Sequence, residues 1–421
     1  MLSLKLRNPP KDSNLLRIVL VLSISYFSLS LNQLGFVALL PFVREEFVLT
    51  RTQVGLYSTC FFLGATVTAI FTGGLVDKLG AKKSLLLGMG CFGFTMLLYG
   101  VLSSYGALLF LAFIAGIGMS IITPSVNKGI LLAVPPEKRA VYMGIVQSIS
   151  SFGSTVGASL LPILGKSFGW RMAIQFSAVF ALLVGLLAWK VYQEPKKSSS
   201  ILDNRESQRE KQPSFKNGIL ALLGNKQVLR LCAIGIVLGA SFGAVSSHLA
   251  VFFHEDLNMS PTYAGLGLSI FYIGGIIGQP IWGRLSDRSF RGDRQKVLIV
   301  IGLTVGVVYL LFNLFFKNLQ ASPFAVFVFS FLLGCSAWGW TGVYMIAIGE
   351  SVGDRQTGIA TGLSLVFIRT GMLVAPLVFG FIADVKGNYR YSWLLFGVAI
   401  ILVFSLFYYL STQKRKDEGA R

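Results

Sequence analysis

The chain has 421 residues and a formal net charge of +19, and 54% of its residues are hydrophobic while only 13% are charged. Soluble chains carry about 25% charged residues, so this sequence has too few to cover the surfaces of soluble domains. This composition excludes a soluble enzyme, a disulfide-rich secreted module and a disordered tail protein.

Twelve apolar segments are long enough to cross a bilayer, which takes about 20 helical residues. The first six lie near 17–40, 54–76, 84–102, 106–134, 141–165 and 172–192. The second six lie near 229–253, 262–283, 297–316, 323–348, 358–383 and 391–411. We therefore predict an all-α membrane protein of twelve transmembrane helices, with a six-helix half at 1–192, a cytosolic linker at 193–227 and a second six-helix half at 228–421.

The distribution of basic residues predicts the orientation in the membrane. With both termini in the cytosol, 28 of the 37 Lys and Arg residues lie on cytosolic segments and seven lie on outer segments. Cytosolic loops carry such an excess in membrane proteins. We therefore predict a multi-pass protein of the cytoplasmic membrane with both ends inside. The basic excess reports topology, so we expect no nucleic-acid partner.

A short charged motif recurs in the turn after the second and the eighth span. Both copies read G-x-L-x-D-[K/R], and Asp77 lies 210 residues before Asp287, half the chain length. Parallel halves of six spans are a known repeat architecture of transporters. The motif residues are Gly73, Asp77, Gly80, Lys82 and Lys83 in the first half, and Gly283, Asp287 and Arg288 in the second.

At these residues the chain resembles the major facilitator superfamily over nearly its whole length. The resemblance implies two halves that rock around a central site, and a latch on the cytosolic side built from the motif. It implies that Asp77 stabilises the outward-open state near the N-terminus of the eleventh span, where the helix dipole favours a carboxylate. Within the family, segments around His248, Gly265 and Pro376 resemble the monocarboxylate and oxalate–formate exchanger branch.

The chain also departs from familiar family patterns. Ala112 stands in the fourth span where many members have an arginine. In the fifth span, Gly153 and Gly157 are followed by Pro162, not by the Gly-Pro pair of the drug-antiporter branch. This difference argues against a multidrug exporter. We interpret Gly153 and Gly157 as positions where two helices pack closely.

Arg369 is the outstanding ionisable residue within a span. It lies 14 residues after Arg355 and 15 before Asp384, so it is roughly 20 Å from either charged boundary. A guanidinium at the midplane costs at least about 2.5–3.5 kcal/mol unless it reaches water or a partner. One interpretation is a structural arginine bonded to helix carbonyls. We favour an anion-binding residue, because its planar donors match a carboxylate, sulfonate or phosphate.

Several other polar or aromatic residues are candidates for the central cavity. Lys128 in the fourth span either extends to the cytosolic boundary or supplies a second cationic or gating group. The remaining candidates for substrate contact are Asn32, Asn127, Gln147, Tyr26, Trp340 and Tyr344.

No acidic residue lies in the middle of a span, so an anionic substrate would balance the two buried cations. We predict a secondary transporter that moves a small, carboxylate-like organic anion by alternating access, as a symporter or antiporter with a proton or counter-substrate. The alternative is a multidrug or other efflux carrier of the same fold. No catalytic grouping and no nucleotide-binding loop is present in the sequence. We therefore expect a monomeric carrier in the lipid bilayer, without enzymatic activity or a cofactor.

Overall fold

The computed structural model of the chain describes residues 12–135, 138–192, 221–352 and 357–419. All the regular elements in these ranges are helices. Most of the predicted linker, 193–220, lies outside the described residues. The boundaries of the halves at 192 and 228 therefore stay a prediction.

The first half contains one helix that is far too long for a single crossing. Arg51–Tyr99 has 49 residues and would be roughly 70 Å long if straight, about twice a bilayer. At Gly80 the backbone has φ 84° and ψ 164°, so the helix turns back there and forms spans two and three. The helices of this half are Asp12–Ala38, Leu40–Phe47, Arg51–Tyr99, Tyr105–Ala133, Arg139–Phe168 and Trp170–Val191.

The second half has a broken tenth span. One helix ends at Ala337 and the next begins at Thr341, so the crossing is discontinuous at Trp338–Trp340. The helices of this half are Lys226–Glu255, Pro261–Arg288, Arg294–Leu314, Phe316–Ala321, Pro323–Ala337, Thr341–Glu350, Thr357–Lys386 and Arg390–Gly419. Eleven segments of the described chain are long and apolar enough to cross a membrane, and the first part of Arg51–Tyr99 supplies the twelfth crossing. The predicted fold class is confirmed.

Local sequence explains where the helices begin. The Thr50 hydroxyl accepts a hydrogen bond from the Gln53 amide, and the Gln53 side chain accepts one from the Thr50 amide. This reciprocal cap satisfies two amides that the helix itself leaves unpaired. At the start of span eight, the Ser260 hydroxyl accepts a hydrogen bond from the Tyr263 amide, and Pro261 occupies the first helical position, where a missing N–H costs nothing.

Glycines allow close packing of spans one and five. A Cβ added to Gly153 would lie 2.4 Å from the Phe27 carbonyl oxygen, and one added to Gly157 would lie 2.3 Å from that of Leu31. No side chain fits at such distances. The expected packing face is confirmed.

The two halves contact each other on one side of the molecule and separate toward the other. We call these the clasp side and the linker side; the described chain ends lie on the linker side. On the clasp side, span two meets span eleven and span five meets span eight, with Gly55 against Pro376 and Gly265 against Ala158. On the linker side of the same four spans, a Cβ on Gly73, Gly144, Gly283 or Gly362 would meet nothing within 4 Å. The space between the halves is therefore closed on the clasp side and open on the linker side.

Candidate functional site

A carboxylate at the end of span eleven caps the beginning of span two across the two halves. Asp384 Oδ1 accepts a hydrogen bond from the Arg51 amide at 2.8 Å. Its Oδ2 accepts from the Thr52 amide at 2.8 Å and from the Thr52 hydroxyl at 2.6 Å. Amides at a helix N-terminus lack intrahelical partners and attract negative charge. Asp384 therefore joins the halves through three hydrogen bonds.

An ion-pair cluster surrounds this cap. Arg51 Nε lies 3.1 Å from Glu255 Oε2, and its Nη2 lies 3.4 Å from Asp256 Oδ1, while Arg44 pairs with Glu255. The Asp256 side chain is only 4% exposed. Burial raises the pKa of Asp256, although the Tyr389 amide and the two arginines oppose that shift. We call the cluster the clasp; it comprises Arg44, Arg51, Thr52, Glu255, Asp256 and Asp384.

Contacts between spans two and eleven continue from the clasp toward the membrane interior. The Thr59 hydroxyl donates to the Leu373 carbonyl at 2.6 Å. Deeper still, Arg369 Nη1 donates to the Ala65 carbonyl at 3.2 Å. Among the hydrogen bonds that join these two spans in the described ranges, this one is the farthest from Asp384. Arg369 therefore lies where the halves begin to separate.

The first half places polar side chains beside this arginine. Tyr26 in span one interacts electrostatically with Arg369, and its hydroxyl interacts with the side chains of Thr123 and Gln147. Arg369 and Tyr26 are half-buried, and Gln147 is exposed in the opening between the halves. Three of the predicted site residues thus come together, from spans one, five and eleven.

Thr123 belongs to the cluster that it forms with Arg369, Tyr26 and Gln147, although the sequence did not single it out. Its position four residues before Asn127 was the available signal, because residues at that spacing share a helix face. Asn127 is half-buried one turn toward the linker side.

Lys128 lies outside the cluster. Its Nζ donates to the Val76 carbonyl and to Asp77 Oδ1, both at 2.9 Å. This geometry corresponds to the alternative in which the lysine extends to the membrane boundary. In this conformation it ties span four to the linker-side end of span two.

Three other predicted site residues make structural contacts. Asn32 is fully buried, and its Nδ2 donates to the Ser177 carbonyl at 3.0 Å while its Oδ1 accepts from the Ser177 hydroxyl at 2.8 Å. These bonds join spans one and six. Trp340 and Tyr344, 1% and 0% exposed, pack edge to face at 5.4 Å beside the break in span ten. All three lie away from the open space in this conformation.

The acidic residues of the predicted latch have partners within their own halves. Asp77 pairs with Lys128, and Asp287 pairs with Arg294, which also lies 3.4 Å from Glu350. Lys82 Nζ lies 4.8 Å from the centre of the Trp189 ring. Lys83 and Arg288 are exposed. Residues 353–356, just before span eleven, lie outside the described residues, so the latch stays a prediction.

The cluster around Arg369 offers hydrogen-bond donors and one fixed positive charge. A guanidinium with a neighbouring hydroxyl and amide suits an anion. Within the described ranges, no group of three His, Cys, Asp or Glu side chains has the arrangement of a metal site.

Known proteins resemble the chain in both sequence and fold. The sequence model of the family described as "Major Facilitator Superfamily" matches residues 22–260 and 231–421. The hexuronate transporter of Bacillus subtilis is 22% identical over 85% of each chain. The quinolone resistance protein NorA of Staphylococcus aureus is 23% identical over 86% of this chain and 89% of its own. A bacterial homologue of the human lysosomal transporter Spinster, solved in an inward-facing and unoccupied conformation, superimposes with a TM-score of 0.74 at 16% identity, over 97% of this chain and 98% of that one.

Proposed function

The chain belongs to the major facilitator superfamily, and on that premise we propose that it carries a small, carboxylate-like organic anion across the cytoplasmic membrane by alternating access. It is a multi-pass membrane transporter. The resemblance to the monocarboxylate and oxalate–formate branch remains a prediction.

The position of Arg369 carries this proposal. It lies at the end of the contact between spans two and eleven that is farthest from the clasp, beside the hydroxyl of Tyr26. It is half-buried where the opening between the halves begins. A guanidinium has five N–H donors, and only one hydrogen bond from Arg369 to other described residues is present. The remaining donors suit bidentate binding of a carboxylate. The hexuronate transporter among the relatives is consistent with such a substrate.

The clasp supplies one end state of the proposed cycle. The count of basic residues assigns the linker side to the cytosol, so a closed clasp corresponds to an inward-open carrier. In the outward-open state the clasp breaks, and Asp77 caps the start of span eleven as Asp384 caps the start of span two here. The two carboxylates would thus act in turn on the same pair of helices.

Anion binding by Arg369 can be tested on purified protein. Thermal-shift measurements with D-glucuronate and other small carboxylates and sulfonates should identify an anion that stabilises the wild type. We expect Arg369→Gln to lose this stabilisation and the uptake of that anion into proteoliposomes. Arg171→Gln, which removes a cation on the clasp side within the first half, is the matched control. Equal stabilisation of wild type and Arg369→Gln would refute the assignment.

Export of amphiphilic drugs is a second candidate, supported by the similarity to the quinolone resistance protein. A cationic residue at the site disfavours cationic drugs. Extrusion of ethidium from cells, dependent on this chain and insensitive to Arg369→Gln, would favour export over anion transport.

A further inference from the structure

A groove of about 440 Å³ lies on the linker side of the second half, away from the cluster around Arg369. It is formed by the turn after span eight, the first turns of span nine and the end of span twelve. Its lining includes Phe290, Arg291, Lys296, Val300, Leu303 and Tyr408.

The groove is basic at one end and apolar along its length. Lys296, Val300 and Leu303 follow at spacings of four and three residues, so they form one strip on span nine. The strip runs about 10 Å from the turn into the membrane region. Arg291 stands exposed at the basic end, and Lys296 is half-buried beside it.

The turn fixes the position of the basic end. Arg291 adopts φ 50° and Gly292 φ 81°, and the Gly292 amide donates to the Ser286 carbonyl at 2.9 Å. Asp293 caps span nine: its Oδ1 accepts a hydrogen bond from the Lys296 amide at 3.2 Å, and its Oδ2 lies 3.5 Å from Lys296 Nζ. The segment from 284 to 296 carries five Lys or Arg residues against two Asp, so the turn keeps a positive charge.

The other wall of the groove faces the lipid. Tyr408 on span twelve is 52% exposed, and its large apolar neighbours are exposed too: Leu402 at 65%, Leu406 at 57% and Leu410 at 41%. In a membrane protein such a surface contacts acyl chains. A ligand of this groove would therefore meet positive charge at the membrane surface and hydrocarbon below it.

We propose that the groove binds an anionic phospholipid of the inner leaflet, with its phosphate at Arg291 and Lys296 and one acyl chain along Val300 and Leu303. Basic pockets between transmembrane helices on the cytoplasmic side bind anionic headgroups in this manner. The inner leaflet follows from the orientation proposed above, whereas binding itself is independent of transport. The apolar strip favours a lipid over a soluble phosphate, which would contact the basic end alone.

Native mass spectrometry of the delipidated full chain tests this site. The probes are dioleoylphosphatidylglycerol, dioleoylphosphatidylcholine and glycerol 1-phosphate. We expect the wild type to bind dioleoylphosphatidylglycerol, which is anionic, about tenfold more tightly than dioleoylphosphatidylcholine. The double variant Arg291→Gln/Lys296→Gln should lose this preference. Lys83→Gln/Lys190→Gln, which removes two exposed linker-side cations of the first half, should retain it.

Two results would overturn the proposal. One is equal binding of dioleoylphosphatidylglycerol to Arg291→Gln/Lys296→Gln and to the control variant. The other is full displacement of the lipid by glycerol 1-phosphate at equal concentration, which would indicate a site for soluble anions. If the double variant does not fold, Arg291→Gln alone, at an exposed position, gives the same comparison. Anion transport through Arg369 is measured in a separate experiment, so failure of the lipid proposal or of the transport proposal leaves the other intact.

Discussion

Asp384 and Thr52 are joined across the two halves by two hydrogen bonds, from the Thr52 amide at 2.8 Å and the Thr52 hydroxyl at 2.6 Å. A charged acceptor strengthens such bonds to about 1.5–3 kcal/mol each. The pairing places the carboxylate of one half on the helix N-terminus of the other, where the dipole also favours it. Asp384 is therefore a principal determinant of closure on the clasp side.

We expect Asp384→Asn to shift the conformational equilibrium toward opening of the clasp side. Loss of the negative charge of the Asp384 carboxylate should cost the closed state at least about 1.4 kcal/mol, a tenfold change in population. The measurement is the distance between spin labels at Val48→Cys and Lys386→Cys, in a background without the four native cysteines. Longer distances should become more populated.

Glu46→Gln is the matched control for this measurement. Glu46 is also a clasp-side carboxylate, but its partners Arg171 and Trp170 lie in its own half. Its removal should leave the label distance unchanged. An equal shift in both variants, or a shift in neither, would contradict the role of Asp384.

Close approach of the helices gives an independent prediction. A Cβ on Gly380 would lie 2.4 Å from the Arg51 carbonyl oxygen, so Gly380→Ala should prevent full closure. We expect the same lengthening of the clasp-side distance and a loss of transport. Gly90→Ala is the control, because a Cβ there meets nothing within 4 Å. Unaltered closure in Gly380→Ala would show that the backbone adjusts.

The sequence was sufficient for the fold but only partly for the site. Span lengths depend on apolar runs that any bilayer-crossing helix must have, and these runs are local in sequence. Arg369 was identifiable because a mid-span charge is costly wherever it lies. Tyr26 and Gln147 were identified as candidates, yet their contact with one another needed the packed helices.

The clasp shows what the sequence does not reveal. Arg51 and Glu255 are 204 residues apart, and no pattern in the sequence indicates that they form a pair. Asn32 shows the converse case. A polar residue within a span is a candidate for substrate contact, but Ser177, 145 residues away, satisfies it in the core. Both outcomes depend on which helices are neighbours, and periodicity does not report that.

Asn32 and Gln147 should therefore differ in mutational effect. Asn32→Ala removes two buried hydrogen bonds to Ser177, each worth about 0.5–1.5 kcal/mol, and should lower the melting temperature. Gln147→Ala removes an exposed side chain, so stability should hold while anion affinity falls by about fivefold, the value of one hydrogen bond. Melting curves with and without the anion separate the two effects. A stable Asn32→Ala with weakened anion binding would reverse the assignment.

The predicted latch implies that Asp77→Asn shifts the conformational equilibrium in the direction opposite to Asp384→Asn. Its side chain is 57% exposed here and pairs with Lys128, so this contact contributes little to the present state. If Asp77 caps span eleven only in the outward-open state, Asp77→Asn should enrich the closed clasp. Lys128→Gln, the control, should not. Enrichment of the open clasp in Asp77→Asn, read by the same labels, would count against the latch.

The pKa of Glu46 predicts a pH-dependent contribution to stability. Burial acts to raise this pKa, but hydrogen bonds from Arg171 and Trp170 outweigh it and hold the pKa below its usual value. A lowered carboxyl pKa stabilises the folded state above the unfolded-state pKa, and the contribution disappears as the pH falls through the folded-state pKa. Because the Glu46 side chain is 42% exposed, the effect should be at most about 1 kcal/mol. Glu46→Gln should thus melt slightly below the wild type at pH 7.5, with the difference vanishing in acid. A difference that persists or grows below the folded-state pKa would indicate that packing, not charge, holds this contact.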